Sequence, residues 1–334
     1  MLADWQAIAS PGEAGARNVR LADSTHPLDF RIGRDFRGRY LFQLDSAYVP
    51  TPASALPRLS GMDCEWDELG NDRVRLCLVL HHKENLSNFS LMCTGLMLAT
   101  ESITATQSAR GMLRTIEELH RWQEMLRRRR DTLLSRNEQI GLLGELLFFR
   151  DELEPRWGVL PALHSWNGPE GHEQDFVVGG TIFEVKTQVV TADRRIRISS
   201  EDQLDPVQGR ILICNQGVAP LPIADSSART LNSLVAEIGM QVASAGSHAG
   251  ELFEIAMLRA GYEPRDEYDE ESWVLIDRAF YEVSGDFPRI ERADLRKGVE
   301  MVKYSIRVSD CQTYVVDIEK TMTELCNEPS SERL

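Results

Sequence analysis

Residues 173–188 read EQDFVVGGTIFEVKTQ, and the glycine pair at their centre decides how the chain is read. Gly179-Gly180 is a strong signal for a two-residue hairpin, because type I′ and II′ turns need positive φ, which glycine adopts without strain. Counting outward pairs Val178 with Thr181, Val177 with Ile182, Phe176 with Phe183, and Asp175 with Glu184. Two carboxylates would then stand opposite each other, an unfavourable arrangement unless positive charge lies between them. Lys186 falls two residues beyond Glu184 and shares its face, while Phe176, Phe183 and Val185 point to the other. One face is chemical and one is core. A hard divalent cation on oxygen ligands beside a lysine accounts for all three polar choices. A half-exposed hairpin whose polar face meets water is the competing reading, since any surface strand alternates in this way.

The chain of 334 residues is long enough for two domains, and its 42% hydrophobic and 27% charged composition is that of an ordinary globular protein. No apolar run approaches the roughly 20 residues of a membrane helix. The start, MLADWQAIASPGEAGARNVR, lacks the basic and apolar pattern of a secretory signal, so a cytoplasmic protein is expected. Cys64, Cys77, Cys93, Cys214, Cys311 and Cys326 are scattered without C-x-x-C spacing, against both a zinc site and a disulfide framework.

A net charge of −15 weighs against strong autonomous nucleic-acid binding, which phosphate contacts from Lys and Arg dominate. The charge is uneven. RWQEMLRRRRDTLLSR (121–136) is rich in arginine, Arg194, Arg195 and Arg197 follow the hairpin, and EPRDEYDEES (263–272) is acidic. Each of these runs is also compatible with a solvated face.

Residues 17–95 read as β-rich, with alternating stretches such as RGRYLFQLDS and RVRLCLVLHH, and 98–153 as helical. A boundary near 120 gives an N-terminal domain 1–120, a second domain 121–325 and a tail 326–334. In the helix IGLLGELLFFRDEL, Glu145 projects from an apolar flank, where a carboxylate needs a partner, a metal or a route to water. Beyond the hairpin, RIRIS alternates like a strand, and Ser199 or Ser200 can cap a helix with Glu201, Asp202 and Gln203 in its first turn. GRILICN is a buried strand, 227–260 is helical and ends near a C-capping Gly261, and the segments SWVLIDRAFYEVS and VEMVKYSIRVSDCQTYVVDIEK return to strands. Helix, hairpin, strand, helix, strand, helix and strands suggest a mixed sheet covered by helices.

An inward Glu145 on a helix, Asp175 on a strand and Glu184-Val185-Lys186 on the next resemble the PD-(D/E)XK nuclease superfamily. The runs GLLGELLFFRDEL, HSWNGPEGHEQDF, EVKTQ, RISSEDQL and FPRI resemble more closely a bacterial group of PD-(D/E)XK proteins found beside methyltransferases and ATPases in restriction or phage-defence gene clusters. The resemblance covers about residues 137–308, with Gln174 where the superfamily often has proline. It implies an α/β (α+β) chain in which the β-rich N-terminal domain precedes a restriction-endonuclease-like domain with a mixed central sheet flanked by helices.

It also implies that Asp175 and Glu184 bind Mg²⁺, with Mn²⁺ able to substitute, that Glu145 is a further ligand, and that Lys186 orients the attacking water or stabilises charge on the phosphate. Gln188 shares the face of Glu184 and Lys186 and could bind a phosphate or a water. Ser199, Ser200 and Gln203, at an expected helix N-terminus, and Arg194, Arg195 and Arg197 are candidate DNA contacts. The implied activity is that of a metal-dependent DNA endonuclease in a restriction or anti-phage system, acting as a homodimer or within a larger complex with ATPase or methyltransferase components. A catalytically silent nuclease-fold scaffold and an RNA nuclease are the alternatives.

Overall fold

The computed structural model describes residues 5–50, 56–128, 133–170, 174–191, 193–205 and 209–327. The chain divides into two compact units, Met1–Leu133 and Leu134–Leu334. Residue 120, the expected boundary, lies within a helix of the first unit.

The first unit contains β1 (Arg17–Leu21), β2 (Asp29–Asp35), β3 (Tyr40–Ala47), β4 (Met62–Gly70) and β5 (Arg73–Leu80). They form an antiparallel sheet in the order β1-β2-β3-β5-β4. β4 and β5 turn through Asn71 and Asp72, both at φ 52°, the left-handed pair that a type I′ hairpin demands and that Asn and Asp tolerate. Two helices follow, α1 (Leu86–Leu98) and α2 (Ser108–Arg128). The β-rich stretch therefore ends earlier than 95. LSNFSLMCTGLML is apolar nearly all round, which hid its helical period, and the helix it forms buries Phe89, Met92, Cys93, Leu96 and Met97.

The second unit opens with α3 (Arg136–Phe148), started by a capping box in which Glu138 N–H donates to Ser135 Oγ and Ser135 N–H donates to Glu138. One π-helical turn, Phe149–Leu153, leads to α4 (Glu154–Trp157) and α5 (Val159–Ser165). The hairpin strands β6 (Phe176–Val178) and β7 (Thr181–Val189) come next, then β8 (Arg195–Ile198), β9 (Arg210–Pro220), α6 (Leu231–Ser244), α7 (Ser247–Arg259), β10 (Trp273–Glu282), β11 (Tyr304–Arg307) and α8 (Ile318–Asn327).

The central sheet has the order β10-β9-β7-β6, with β7 and β9 parallel and the other pairs antiparallel; β8 and β11 form a separate ribbon. This is the expected α+β architecture with a mixed sheet. The hairpin register is also as read: Val178 pairs Thr181, Val177 pairs Ile182 and Phe176 pairs Phe183, around Gly179 and Gly180 at φ 55° and 76°.

Further expectations fail. The segment 299–320 holds one short strand and then helical turns, and α8 runs to Asn327 with Leu325 buried; the tail from 328 lies outside the described residues. Glu201–Leu204 is a four-residue 3₁₀ turn, and its N-cap Ser200 makes no side-chain capping bond, too short a helix to offer a dipole. The hairpin, finally, has no purely chemical face. Phe176, Phe183 and Val185 pack with Phe148, Leu212 and Cys214 on one side, as expected, but Ile182 on the Glu184 side joins a second core with Ile196, Ile198, Ile211, Ile213 and Tyr281. Both faces of β7 are covered, so its acid, Glu184, is enclosed rather than solvated.

Candidate active site

β7 carries Glu184 and Lys186 on one face, two residues apart, at the point where its side chains pass from buried to half-buried. Glu184 is only 1% exposed, and Lys186 Nζ lies 2.7 Å from its Oε1. Gln203 bridges the pair: its Nε2 donates to Glu184 Oε1 at 3.0 Å, while its Oε1 accepts from Lys186 Nζ at 3.4 Å and from the Ser199 N–H at 2.8 Å. The acid and the ammonium are thus held in one orientation by a neutral amide.

Asp175 precedes β6, and the ladder does not extend to it. Its carbonyl accepts the N–H groups of Asn167 and Gly168 at 2.8 and 3.0 Å, and its Oδ2 accepts the Val185 N–H at 2.7 Å. The carboxylate therefore turns onto the backbone next to Glu184 instead of standing opposite it as a ladder partner. Its free oxygen, Oδ1, faces the space beside Gly168.

Glu145 arrives from α3. The preceding residue sets how close the helix can come, because a Cβ on Gly144 would lie 1.7 Å from Thr187 Oγ1. Only glycine allows that approach. Gln216 fixes it, donating through Nε2 to the Gly144 carbonyl at 2.9 Å and to Thr187 Oγ1 at 3.2 Å. Glu145 does not simply reach water: its Oε2 accepts the Trp166 indole N–H at 2.7 Å.

The electrostatics follow from crowding. Burial and then the charge of Asp175 raise the Glu145 carboxyl well above its usual range, against the Trp166 hydrogen bond. Burial pushes Asp175 up to about 6, against Lys186 and the Val185 N–H. Burial also works against the Lys186 ammonium, yet Glu184, Asp175 and Glu145 outweigh it and lift the group above the ordinary lysine range. Among the described residues, three carboxylates act on one ammonium.

Does this set suit a divalent ion? A Cβ built on Gly168 would sit 2.6 Å from Glu145 Oε2 and 3.3 Å from Asp175 Oδ1, so the two acids border a space that only a glycine leaves open. Mg²⁺ usually takes one or two carboxylates and completes its shell with water and phosphate oxygens. The donor chemistry fits such an ion. Among the described residues, however, no three His, Cys, Asp or Glu side chains close into a group that could hold a metal unaided.

The other expected residues separate. Gln188 donates to Asn215 Oδ1 at 2.8 Å and accepts the Arg195 N–H at 3.2 Å. Arg194 is engaged by both oxygens of Asp277, each at 2.8 Å, and Arg195 by Asp193 at 2.7 Å. Arg197 is exposed on β8, on the same face as Arg195, with Ser305 and Arg307 opposite on β11. Ser199 contributes only its backbone N–H to the network above. In the arginine-rich run, Arg121 pairs with Glu118 and Arg136 with Glu271, each at 2.8 Å, while Arg129 and Arg130 lie outside the described residues.

Sequence reasoning missed Gly144, Trp166, Gly168 and Gln216. Gly144 was the most legible, a helix-weakening residue inside an apolar helix, which usually marks a close approach. The profile of the family DUF4420, described as "Putative PD-(D/E)XK family member", matches residues 1–309. The chain belongs to that family. Comparison with curated proteins and with solved structures gives no match. Family membership points to a nuclease, and PD-(D/E)XK nucleases generally use divalent metals. Among the described residues no helix is long and apolar enough to cross a membrane.

Proposed function

We propose that this DUF4420 member is a metal-dependent DNA endonuclease, with Asp175 and Glu184 holding Mg²⁺ or Mn²⁺ and Glu145 supplementing them. The observation that carries the reading is the enclosure of Glu145, Asp175 and Glu184 around Lys186, the one cation among the described residues that the three acids act on together. Buried carboxylates are costly unless paired, so a fold that keeps three of them beside one ammonium keeps them for a cation. When bound, the ion would polarise a phosphoryl oxygen and lower the pKa of an attacking water. Lys186 offers a compact positive charge for negative charge developing on the phosphate, and Gln203 hydrogen-bonds both it and Glu184. The exposed face of β8 and β11, with Arg197, Arg195 and Arg307, is our candidate for the DNA backbone, and Gln188 lies at the edge of that ribbon.

Cutting both strands of a duplex normally takes two sites, which favours a homodimer or a larger assembly. A restriction or anti-phage setting, with ATPase or methyltransferase partners, rests on the gene neighbourhoods that the sequence resemblance implies. The test is incubation of the purified chain with unmethylated phage DNA and supercoiled plasmid in Mg²⁺ or Mn²⁺, beside Asp175→Ala and Lys186→Ala. We expect cleavage by the parent alone; equal cleavage by Asp175→Ala would refute the assignment. A second reading, a nuclease-fold scaffold without catalysis, is favoured by the net charge of −15 and by the lack, among the described residues, of a complete metal-holding cluster. Absence of divalent-ion binding with DNA present would select it.

A further inference from the structure

One three-residue segment, Trp166-Asn167-Gly168, touches both acids that no lysine bridge orients. Its indole N–H donates to Glu145 Oε2 at 2.7 Å, and the N–H groups of Asn167 and Gly168 donate to the Asp175 carbonyl at 2.8 and 3.0 Å. The indole itself cannot swing. Trp166 is 4% exposed, stacked on Phe176 at 5.7 Å with 9° between the rings, and packed against Phe149 at 5.9 Å. Its backbone also bridges Phe176, the first residue of β6. A buried aromatic with one polar edge is well suited to aim a hydrogen bond, because packing fixes the ring and leaves the donor a single direction. Glutamate is the opposite case, a flexible side chain that needs an outside partner to hold it. The oxygen that Trp166 grips is the one bordering the space beside Gly168, and Asp175 Oδ1 borders the same space.

We propose that Trp166 is a positioning residue, which aims the Glu145 carboxylate across the Gly168 space toward Asp175 so that both acids meet one divalent cation. The proposal rests on the nuclease reading's metal site. Trp166 itself touches neither ion nor substrate. It acts as the outer partner of a ligand, a role whose loss typically costs about 10- to 100-fold in metal affinity or activity.

Trp166→Phe keeps an aromatic ring against Phe176 and removes only the donor. Mn²⁺ titrations of the full chain by calorimetry, with the parent, Trp166→Phe and Gly168→Ala, read the effect without relying on cleavage. We expect the dissociation constant to rise about tenfold or more in Trp166→Phe, in line with the cost of losing an outer partner. Gly168→Ala, which fills the space itself, should raise it as well. Plasmid cleavage should show a lower kcat at unchanged KM for DNA. If the parent binds Mn²⁺ and Trp166→Phe binds it equally well, the proposal is wrong and the nuclease reading stands. A parent that binds no divalent ion, with or without DNA, overturns both. Should Trp166→Phe fail to fold, the unaltered chain still decides: Mn²⁺ should selectively broaden one indole N–H resonance in its NMR spectrum, and no selective broadening would overturn the proposal.

Discussion

Both units of the chain enclose carboxylates, and they treat them in opposite ways. In the first unit Asp45, 5% exposed, is gripped by Arg75 through two hydrogen bonds of 2.6 and 2.7 Å. Asp35 accepts from the Arg39 side chain at 2.8 Å and from the backbone N–H groups of Arg37 and Arg39. Glu118 has Arg114 and Arg121 at 3.0 and 2.8 Å. Each acid there is matched by at least one guanidinium, whose fork suits a carboxylate. The hydrogen bond to Asp45 lifts Arg75 above the usual arginine range, so that pair favours its charged form. In the second unit Glu145, Asp175 and Glu184 have Lys186 between them, and burial drives Asp175 and Glu145 toward their neutral forms. The second unit can complete a charge network elsewhere, since Arg278 pairs with both Asp151 and Glu152. The contrast teaches that buried charge alone does not mark a site. Acids that outnumber the cations beside them, among the described residues, do.

The largest effect should come from breaking the set in which acids outnumber cations. Asp175→Ala removes a proposed ligand, and metal stabilisation of several kcal/mol translates into a loss of about 10³-fold in plasmid cleavage, read by gel assay. Next comes breaking the compensated set. Asp45→Ala should strip Arg75 of its partner and cost about 3 kcal/mol in urea unfolding, toward the low end for a buried pair because Arg75 keeps some solvent. Mn²⁺ affinity should not change; if it falls as it does in Asp175→Ala, the two groups of acids are not functionally distinct. Gly144→Ala should cost about 1–3 kcal/mol through overpacking against Thr187 and carry Glu145 away from Asp175. Unaltered stability would remove the stated reason for that glycine.

The smallest effect concerns pH. The folded-state carboxyl of Asp175 titrates near 6 against an ordinary 3.8, so the fold holds its proton more tightly than the unfolded chain does. This group's contribution to metal-free stability is therefore full below 3.8 and is lost as the pH rises through 6. Asp175→Asn should flatten the metal-free stability profile across that window and make the chain slightly more stable than the parent at pH 8. An Asp45→Asn change should instead lower stability, because it takes a charged partner from Arg75.

Much of this was legible in the residues. The Gly179-Gly180 turn fixed the register of β6 and β7, and Glu184 and Lys186 followed from period-two alternation. What alternation could not reveal is that the polar face would be covered: Ile196 and Ile198 reach Ile182 from a ribbon whose second strand, β11, lies more than a hundred residues further on. Register runs only as far as the ladder, and Asp175 leaves the ladder because its carbonyl is taken by Asn167 and Gly168. The Glu145 contact needed Gly144, Thr187 and Gln216 from a helix and two strands, a meeting that no local pattern encodes. Gln203 was read as a phosphate contact from an expected helix start; the turn proved too short, and its amide lies on Glu184 and Lys186.

Whether the unbalanced acids are kept for a divalent cation is decided by thermal unfolding of the parent and Asp175→Asn at pH 8, with and without Mn²⁺. The melting temperature of the parent should rise with Mn²⁺ and go on rising with ion concentration, as binding to the folded state requires, with little or no rise for Asp175→Asn. An equal rise in both, or none in either, would contradict that role for the acids.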